Sequence, residues 1–465
     1  MITFNKEEQP KEQVMCNIHA TDVILHAFDW PYELVTKRAK EIAQAGYKTV
    51  LVSPPMKSLK TKAGTQWWQR YQPQDYRVID NQLGNTDDVK TMIAELKQYD
   101  VRVYADVVFN HMANESSVRT DLQYPSDKEL ADYQTEADYF EPQKLFGDLT
   151  EPLFDYPDFV EAFGIKDWED KWQVQNGRIT GGPQDPGLPT LRVCDNVVTQ
   201  QQNYLLALKK LGFKGFRIDA AKHMTLEHLQ QVWTEEICQD THIFGEIITS
   251  GGATKPEYEL FLEPFLAHTR FGAYDFPLFQ VTYDALEAGG SLKSWVDPYC
   301  FGQALSQRRA ITFAITHDIP NNQVFENLVM DEALEWLAYS YILGRDGGVP
   351  LIYTDLDTSG YLDKRGNPRW LNAWNDPKMV AAIRFHNSVH GEPMKVIEAS
   401  DDVLVFSRGE KGVVIINKSK RAQTIELTSE HNWTDLLSGR EYSSVKGRVE
   451  MRVSGTSSMM AVSTE

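Results

Sequence analysis

Charged and polar side chains stand at the ends of several short apolar segments in this sequence. The set comprises Asp106, Asn110, His111, Arg217, Asp219, Glu246, His317 and Asp318. Any one of these residues could cap a helix or complete an ion pair, with no further role. Burying charged residues unpaired in apolar strands is costly, so the set as a whole favours a shared site at one rim of a sheet.

Two of these residues, Asp219 and Glu246, could together break a glycosidic bond. Cleavage with retention needs two carboxyl groups about 5 Å apart, one ionised to attack the anomeric carbon and one protonated to donate to the leaving oxygen. Arg217 is two residues before Asp219 and therefore on the same face of a strand, where we expect it to keep the aspartate ionised. Burial and nearby negative charge would raise the pKa of Glu246.

Other side chains of the sequence suit the binding of a sugar. Asp318, His111 and His317 could hold hydroxyl groups and stabilise an oxocarbenium-like transition state. Flat apolar sugar faces pack on aromatic rings, although an aromatic cluster taken alone is more often part of a core. The aromatic candidates are Trp67, Trp68 and Tyr71.

The elements that must position these residues follow an alternating pattern. Short apolar runs alternate with segments of helical period, which is typical of a parallel sheet covered by helices. Strands are expected at residues 23–28, 49–54, 101–109, 215–219, 243–247, 311–315 and 349–354, with 273–276 as an eighth candidate of weaker pattern. Eight such alternations predict an α/β fold, a (β/α)8 TIM barrel.

Three of the intervening helices are well defined by sequence. Residues 86–98 have apolar side chains at helical spacing, with Thr86 as the expected N-cap. A second helix is expected at 200–211, ending before Gly212, and a third follows Thr225.

Two stretches interrupt the alternation and predict further domains. The link after the third strand grows to residues 112–200 and is rich in Pro, Gly, Asp and aromatics. After residue 393 the sequence turns to short alternating segments with turn signals. We therefore predict a barrel formed by 1–111 and 201–392, an inserted loop-rich domain at 112–200, and a C-terminal antiparallel, β-sandwich-like domain at 393–465.

Composition excludes some classes of partner. The chain has 465 residues, of which 42% are hydrophobic and 24% charged, which is ordinary for a globular protein with more than one structural unit. Its 66 acidic and 47 basic side chains give a net charge of -19, which repels phosphate backbones and anionic membranes. We expect neither nucleic acid nor a membrane as a partner.

The cysteines and the N-terminal residues of the sequence give information about cellular location. Cys16, Cys194, Cys238 and Cys300 are widely spaced without metal-ligand spacing, so free thiols are expected. Residues 1–14 are charged and lack the apolar core of a signal peptide. The sequence as given predicts a cytoplasmic location, or a secreted or periplasmic one if a leader was removed.

Four ordered motifs carry a family resemblance. They are DVVFNH at 106–111, GFRIDAAKH at 215–223, FGEI at 244–247 and ITHD at 315–318. An earlier segment, WWQRYQP at 67–73, is similar to the one that lines the glycone side of the cleft in the same family. With these motifs the chain resembles the α-amylase family of retaining glycoside hydrolases, over most of its length.

The resemblance implies specific roles. Asp219 would be the nucleophile, Glu246 the acid/base and Asp318 the stabiliser of the transition state. Four further residues would contact or organise the sugar in the cleavage subsite, namely Tyr71, His111, Arg217 and His317. Trp67, Trp68 and Gln72 of the glycone-side segment would also bind substrate, and Lys222 and His223 would border the leaving side.

The calcium site of the family is altered here. Relatives commonly hold calcium with the Asn of the first motif, matched by Asn110, a carbonyl at the residue matched by His223, and acids of an LPDLD segment. That segment reads LPTLR, with Thr190 and Arg192 in place of both carboxylates. Calcium prefers anionic oxygen ligands, so we expect calcium binding to be weak or absent.

A chloride-binding subgroup uses the Arg of the second motif and an Asn in the fourth. Here Thr316 replaces that Asn. We expect activity without chloride, and a several-fold rate gain on adding chloride to chloride-free enzyme would contradict this.

The leading functional hypothesis is endo-hydrolysis of α-1,4-glucosidic bonds in starch, glycogen or maltooligosaccharides. A 4-α-glucanotransferase or a maltogenic amylase is the alternative within the family, because sugar can replace water in the second step. A non-catalytic glucan-binding or transporter-associated barrel is the remote alternative. Such proteins lose the carboxylates and carry a membrane segment, whereas Asp219, Glu246 and Asp318 are all present.

Overall fold

Eight parallel strands close into a barrel, as the sequence pattern predicts. The computed structural model describes residues 23–60, 66–322, 325–354, 366–367 and 373–464. The barrel strands are β1 (Ile24–Ala27), β2 (Thr49–Val52), β3 (Arg102–Val107), β4 (Gly215–Ile218), β5 (His242–Gly245), β6 (Gly272–Tyr274), β7 (Ala310–Thr312) and β8 (Val349–Thr354). The eighth sequence candidate, 273–276, supplies β6, although its last residue already begins a helix.

Helices surround the barrel and continue into its insertion. They are α1 (Tyr32–Ala45), α2 (Thr86–Gln98), α3 (Asp127–Thr135), α4 (Ala137–Gln143), α5 (Lys171–Asn176), α6 (Asp195–Leu211), α7 (Leu226–Val232), α8 (Glu235–Cys238), α9 (Glu263–His268), α10 (Phe276–Leu286), α11 (Asp318–Asn321), α12 (Glu332–Gly344) and α13 (Pro377–Ser388). None of those in the described part of the chain combines the length and apolar character that crossing a bilayer requires.

Two helix boundaries differ from the predicted ones. The N-cap of α2 is Asn85 and not Thr86, because the Asn85 side chain accepts the N–H of Asp88 while the Asp88 carboxylate accepts the N–H of Asn85. Helix α6 begins at Asp195, so the predicted domain boundary at 200 falls inside it. Its end is as predicted, since Gly212 adopts a left-handed conformation with φ of 118°.

The insertion after β3 contains the three short helices α3, α4 and α5 and long loops. A small core of its own joins α3 and α4 to the barrel loops and consists of Val78, Leu130, Tyr133, Phe140 and Leu149. The position of the insertion agrees with the sequence prediction. The division at 112, 200 and 393 stays a prediction.

The C-terminal part is antiparallel, as predicted. Its strands are β9 (Met394–Ala399), β10 (Val403–Arg408), β11 (Gly412–Asn417), β12 (Gln423–Thr428), β13 (Asn432–Asp435), β14 (Glu441–Tyr442), β15 (Arg448–Val453) and β16 (Ser457–Thr464). Six of them form one sheet in the order β9-β10-β11-β16-β13-β14, and β12 pairs with β15 in a second, two-stranded sheet.

The central strands of this C-terminal part are buried on both faces. On β10, Leu404 and Phe406 belong to the same hydrophobic core as the barrel, whereas Val403 and Val405 belong to a second core between the two sheets. Alternate side chains of a strand point to opposite faces, which gives this division. The barrel and the C-terminal sheet therefore share one core.

Cys194 and Cys238 carry thiols outside any disulfide, as expected. Cys16 lies outside the described residues, as does the charged segment 1–14. The side chain of Cys300 is not among those described.

Candidate active site

The strand register places Asp219 beside Glu246. Ile218 of β4 pairs with Gly245 of β5, so the next residue of each strand is a carboxylic acid at the same rim. The ladder continues through both, since the Glu246 N–H donates to the Ile218 carbonyl at 3.0 Å and the Asp219 N–H to the Val107 carbonyl at 2.9 Å. Neighbouring strands are about 4.8 Å apart, which suits the separation that a retaining mechanism needs.

Arg217 joins the carboxyl groups of the site. It is fully buried, and its Nη1 donates to both carboxylate oxygens of Asp106 at 2.8 and 2.7 Å and to Asp219 Oδ1 at 2.9 Å. Its Nη2 lies 2.6 Å from Glu246 Oε1 and 4.0 Å from Asp318 Oδ2. One guanidinium thus contacts carboxyl groups from four different strand ends.

The backbone conformation at Ala220 places a hydrogen-bond donor next to Glu246. Ala220, directly after Asp219, adopts a left-handed conformation with φ of 48°, which is unfavourable for a residue with a Cβ. In this conformation the Ala220 N–H donates to Glu246 Oε2 at 2.9 Å. The bond fixes the Glu246 carboxyl against the segment that carries Asp219.

Burial and crowding set the protonation of the carboxyl groups. Burial raises the pKa of Glu246 to about 7, with Asp318 adding to the rise and Arg217 opposing it. The expectation that Arg217 keeps Asp219 ionised stays a prediction. Burial and the charges of Glu246 and Asp106 raise the pKa of Asp219, and Arg217 opposes this rise. A proton on Glu246 removes one of these negative neighbours and so favours ionisation of Asp219. The cluster therefore favours one protonated and one ionised carboxyl, as the chemistry requires.

Asp318 lies at the start of α11, across the rim from Asp219. It hydrogen-bonds Glu246, and its Oδ1 is 3.6 Å from His317 Nε2. Burial and Arg217 lower the pKa of His317 to about 3, so this imidazole is neutral at physiological pH. A neutral ring can accept as well as donate hydrogen bonds.

Aromatic rings stack beside this cluster. The His317 ring lies between Phe28, at 4.7 Å between centroids, and Tyr71, at 5.5 Å and nearly parallel. Trp67 closes the group, 6.0 Å from Tyr71 and 5.7 Å from Phe28. Trp68 is 38% exposed, and its ring is in none of the aromatic pairs found among the described residues.

Three other predicted sugar contacts have partners within the protein. The Tyr71 hydroxyl donates to Asp106 Oδ2 at 2.9 Å. His111 is buried and its Nε2 is 2.9 Å from the Tyr71 carbonyl, and Gln72 Oε1 accepts the N–H of Asn114 at 2.9 Å. His111 and Gln72 therefore support the Tyr71 segment, and their contact with sugar stays a prediction.

The two residues predicted for the leaving side are on a short turn after β4. Lys222 donates its N–H to the Glu246 carbonyl at 3.2 Å, and its ammonium lies over the Phe261 ring at 5.2 Å. His223 Nδ1 is 2.8 Å from the carbonyl of Val174, in the insertion. Lys222 thus lies beside Glu246, and His223 faces the insertion.

The residues at the family's calcium position do not fit a dication. Thr190 Oγ1 donates to the Gly177 carbonyl at 3.0 Å, and Arg192 Nη2 donates to the Phe159 carbonyl at 3.0 Å. Asn110 is 97% buried, with its Nδ2 3.4 Å from His111 Nδ1. Among the described residues no group of three acidic, His or Cys side chains is placed to hold a metal. A guanidinium and a hydroxyl donor replace anionic ligands, so weak or absent calcium stays the prediction.

Thr316, at the position of the chloride-binding Asn, is fully buried. Its side chain has no amide, and Arg217 is already engaged by carboxylates. Activity without chloride stays a prediction.

Sequence reasoning gave no role to several residues of the site. Asp106 was noted only as a strand end, yet it binds both Arg217 and Tyr71. His26 and Phe28 on the first strand segment pack on His317, with the His26 ring 5.3 Å from it. A histidine inside the apolar run 23–28 was the available signal, but a single buried histidine more often has a structural role.

Known proteins resemble the chain in sequence and in fold. The family model for the alpha-amylase catalytic domain matches residues 33–263. The alpha-amylase of Aeromonas hydrophila is 48% identical over 415 residues, which cover 89% of this chain and 88% of that protein. Among solved structures, a mutant of alpha-amylase I from Eisenia fetida in complex with maltohexaose has a TM-score of 0.72 at 20% identity, covering 94% of this chain and 96% of that one. The alpha-amylase of Geobacillus thermoleovorans complexed with acarbose has a TM-score of 0.69 at 17% identity, covering 96% and 99%. At these identities the structural matches show the fold alone.

Proposed function

The chain belongs to the α-amylase family of glycoside hydrolases, and we propose that Asp219, Glu246 and Asp318 carry out its retaining cleavage of α-1,4-glucosidic bonds. The observation that carries this proposal is the register of β4 and β5, which places Asp219 and Glu246 side by side on one guanidinium. A buried cluster of this composition has little structural value, since it costs stability to desolvate.

In the first step the Asp219 carboxylate attacks the anomeric carbon. The bond between that carbon and the glycosidic oxygen breaks, and Glu246 transfers its proton to the leaving oxygen. The products are a glycosyl ester on Asp219, an ionised Glu246 and a released sugar chain. In the second step Glu246 takes a proton from water, and the hydroxide oxygen displaces Asp219 with a second inversion.

The neighbours of these two residues favour the charge distribution of the transition state. Arg217 remains charged and holds Asp219 in place through Nη1, and the Asp106 carboxylate accepts from the same nitrogen. Asp318 can accept hydrogen bonds from sugar hydroxyl groups, and its negative charge stabilises the oxocarbenium-like ring. The Tyr71 ring, stacked on His317, is the apolar surface that we assign to the sugar that contains the anomeric carbon.

We propose a neutral α-glucan, as polymer or oligosaccharide, as the substrate. Two proteins of the same fold bind maltohexaose and acarbose, which supports this class. The endo-hydrolytic mode is favoured over glucanotransfer or maltogenic action by the 48% identity to an alpha-amylase. Products of maltoheptaose followed over time discriminate, because transfer yields chains longer than the substrate.

The test of the residue assignment compares wild type with Glu246→Gln on soluble starch. Removal of the acid/base should lower reducing-sugar release roughly 10²- to 10⁴-fold. Glu235→Gln is the matched control, since Glu235 is 80% exposed on the outer helix α8, and it should retain wild-type activity. Equal measurable rates for wild type and Glu246→Gln would contradict the role of Glu246, and no release by either protein would support the non-catalytic glucan-binding alternative.

A further inference from the structure

A buried ion pair joins the end of β1 to the turn that carries Tyr71. Arg70 is fully buried, and the Asp29 side chain is 6% exposed. The Arg70 Nε donates to Asp29 Oδ1 at 2.7 Å and its Nη2 donates to Asp29 Oδ2 at 3.0 Å, which is a bidentate geometry. Arg70 belongs to the 3₁₀ turn Trp67–Tyr71, and Asp29 directly follows Phe28.

We propose that Asp29 and Arg70 are positioning residues, whose ion pair holds the Tyr71 ring where the sugar that contains the anomeric carbon packs. The inference rests on the proposed function, because it takes Tyr71 as the surface for that sugar. We assign to neither residue a contact with the substrate. Both act through the aromatic side chain next to them in the sequence.

Ring contacts connect both ends of the ion pair to His317. Next to Asp29, the centroid of the Phe28 ring lies 4.7 Å from that of His317. Next to Arg70, the Tyr71 ring lies 5.5 Å from His317 and is nearly parallel to it, at 14°. The two chain segments are therefore joined directly by the ion pair and indirectly by the His317 ring. A shift of Arg70 relative to Asp29 would change how the Tyr71 ring meets His317.

The backbone at Asp29 is held in a conformation that few residues with a Cβ adopt. Its φ is 58°, in the left-handed region, which Asp and Asn tolerate better than most side chains. The Asp29 N–H donates to Ser53 Oγ at 2.9 Å, just after β2, and the Phe28 N–H donates to the Thr354 carbonyl at 3.2 Å, at the end of β8. The carboxylate thus projects from a segment that both neighbouring strands hold.

The energetics of this ion pair favour positioning over stability. Desolvation of two buried charges offsets most of their attraction, so such a pair adds little to the free energy of unfolding. A bidentate pair nevertheless fixes both the distance and the direction between two segments. The short 3₁₀ turn offers less of this by itself, because its hydrogen bonds have poorer geometry. Placement matters for catalysis, since a displacement of about 1 Å can lower a rate about 100-fold.

Asp29→Asn tests the proposal. Asn has the shape of Asp and tolerates the left-handed backbone, so the change removes the charge and keeps the local conformation. We expect kcat/KM for maltoheptaose to fall about ten- to hundredfold, measured at a temperature at which circular dichroism shows a folded protein. Because this variant takes the Asp29 charge from a buried guanidinium, the double variant Asp29→Asn, Arg70→Met is made alongside it. It removes both charges and should show the same loss of activity.

A double-variant cycle with Tyr71→Ala separates positioning from a general structural effect. If Asp29 acts by placing the Tyr71 ring, Asp29→Asn should lower kcat/KM less than about twofold once that ring is absent. Losses that multiply when the two changes are combined would overturn the proposal. A folded Asp29→Asn, or a folded Asp29→Asn, Arg70→Met, with kcat/KM within about twofold of wild type would overturn it as well.

Asp75→Asn is the matched control, since Asp75 is a fully buried carboxylate whose Oδ2 lies 2.9 Å from Arg77 Nη2. That pair leads to the insertion, where the Arg77 Nη1 donates to the Glu151 carbonyl at 2.8 Å. Asp75→Asn should lower the melting temperature but keep kcat/KM close to that of wild type. Equal losses of activity in Asp75→Asn and Asp29→Asn would overturn the inference alone. No cleavage of maltoheptaose by wild type would overturn the proposed function and this inference with it.

Discussion

Arg217 shows how a residue that is easily noticed in a sequence can have more partners than its neighbours suggest. The sequence places it two positions from Asp219, and the structure adds Asp106 and Glu246 from the adjacent strands. One cation cannot neutralise the four carboxyl groups around it, so burial keeps their pKa values high. Protonation in the site is therefore a property of the whole cluster.

The raised pKa of Glu246 predicts the alkaline limit of activity. Glu246 must carry a proton to act as an acid, and it loses this proton as the pH rises through about 7. We expect kcat/KM for maltoheptaose to fall about tenfold per pH unit above that point. Initial rates between pH 5 and pH 9 test this, and a profile that stays level to pH 9 would contradict it.

The alkaline limb of the same pH profile also tests the effect of Asp318 on Glu246. Its negative charge raises the pKa of Glu246, so Asp318→Asn should move the alkaline limb of the residual activity to lower pH. A limb that stays in place would show that the charge of Asp318 does not contribute to the pKa of Glu246.

At the scale of elements, the insertion is joined to the barrel by direct hydrogen bonds. Its returning segment runs beside the residues that follow β3, where the Leu191 N–H donates to the Asn110 carbonyl at 2.9 Å. At the start of the insertion, the Ala113 N–H donates to the Pro73 carbonyl of the barrel at 2.8 Å. These bonds connect the two parts without a metal ligand set.

This joint predicts a melting temperature that does not depend on calcium. A tightly bound ion would stabilise the folded state by mass action, whereas the residues that the structure describes place no suitable ligand set. Scanning calorimetry with EDTA and with added calcium should give the same Tm. Calcium that binds tightly and stoichiometrically and raises Tm would contradict the prediction. The double variant Thr190→Asp, Arg192→Asp restores two carboxylates and is the positive control.

A second joint connects the C-terminal sheet to the barrel helices through Arg408. This residue is 97% buried at the end of β10. Its guanidinium donates to the carbonyls of Gly344 and Arg345 at 2.8 Å, of Glu392 at 2.9 Å and of Val389 at 3.3 Å. It thus satisfies carbonyl groups where α12 and α13 end, which are positions that favour a cation.

Loss of this guanidinium should destabilise the protein. Arg408→Met leaves several buried carbonyl groups without a donor, and we expect the free energy of unfolding to fall by about 2 to 5 kcal/mol. Urea unfolding followed by circular dichroism measures the change. Arg452→Met is the matched control, since Arg452 is exposed on β15 of the same C-terminal part, and it should change stability little. A similar loss in both variants would exclude the joint as the cause.

At the scale of the whole molecule, the barrel and the C-terminal sheet are one packed body. Phe406 and Val414 belong to the barrel core and lie against Gly344, where an added Cβ would come within 3.0 to 3.1 Å of them. Such close packing makes the two parts depend on each other for stability.

Shared packing predicts that both parts unfold in one transition. Calorimetry should show a single peak, and Phe406→Ala should lower stability by about 3 to 5 kcal/mol while separating the unfolding of the two parts. Val405→Ala is the matched comparison, because Val405 faces the second core, and it should destabilise without separating them. Two resolved transitions in wild type would contradict the prediction.

Sequence by itself determined the fold class, because the period of apolar residues distinguishes strands from helices wherever the pattern is regular. It also determined the ordered motifs, and with them the family, because the residue types are local. It did not determine the start of α6 or the cap of α2, since several polar residues in each region could serve as a cap.

Only the tertiary structure decided which charges meet. Three sets of contacts join distant parts of the chain. Arg217 contacts Asp106 and Glu246. His26 and Phe28 pack on His317, and Trp168 contacts His223. Distances across a barrel depend on strand register and on barrel closure. The spacing of residues along one strand determines neither of them. The pKa of Asp219 also depends on the tertiary structure. Burial in the folded cluster raises it, and this effect is larger than that of the ion pair with Arg217, which is the only contact that the sequence indicates.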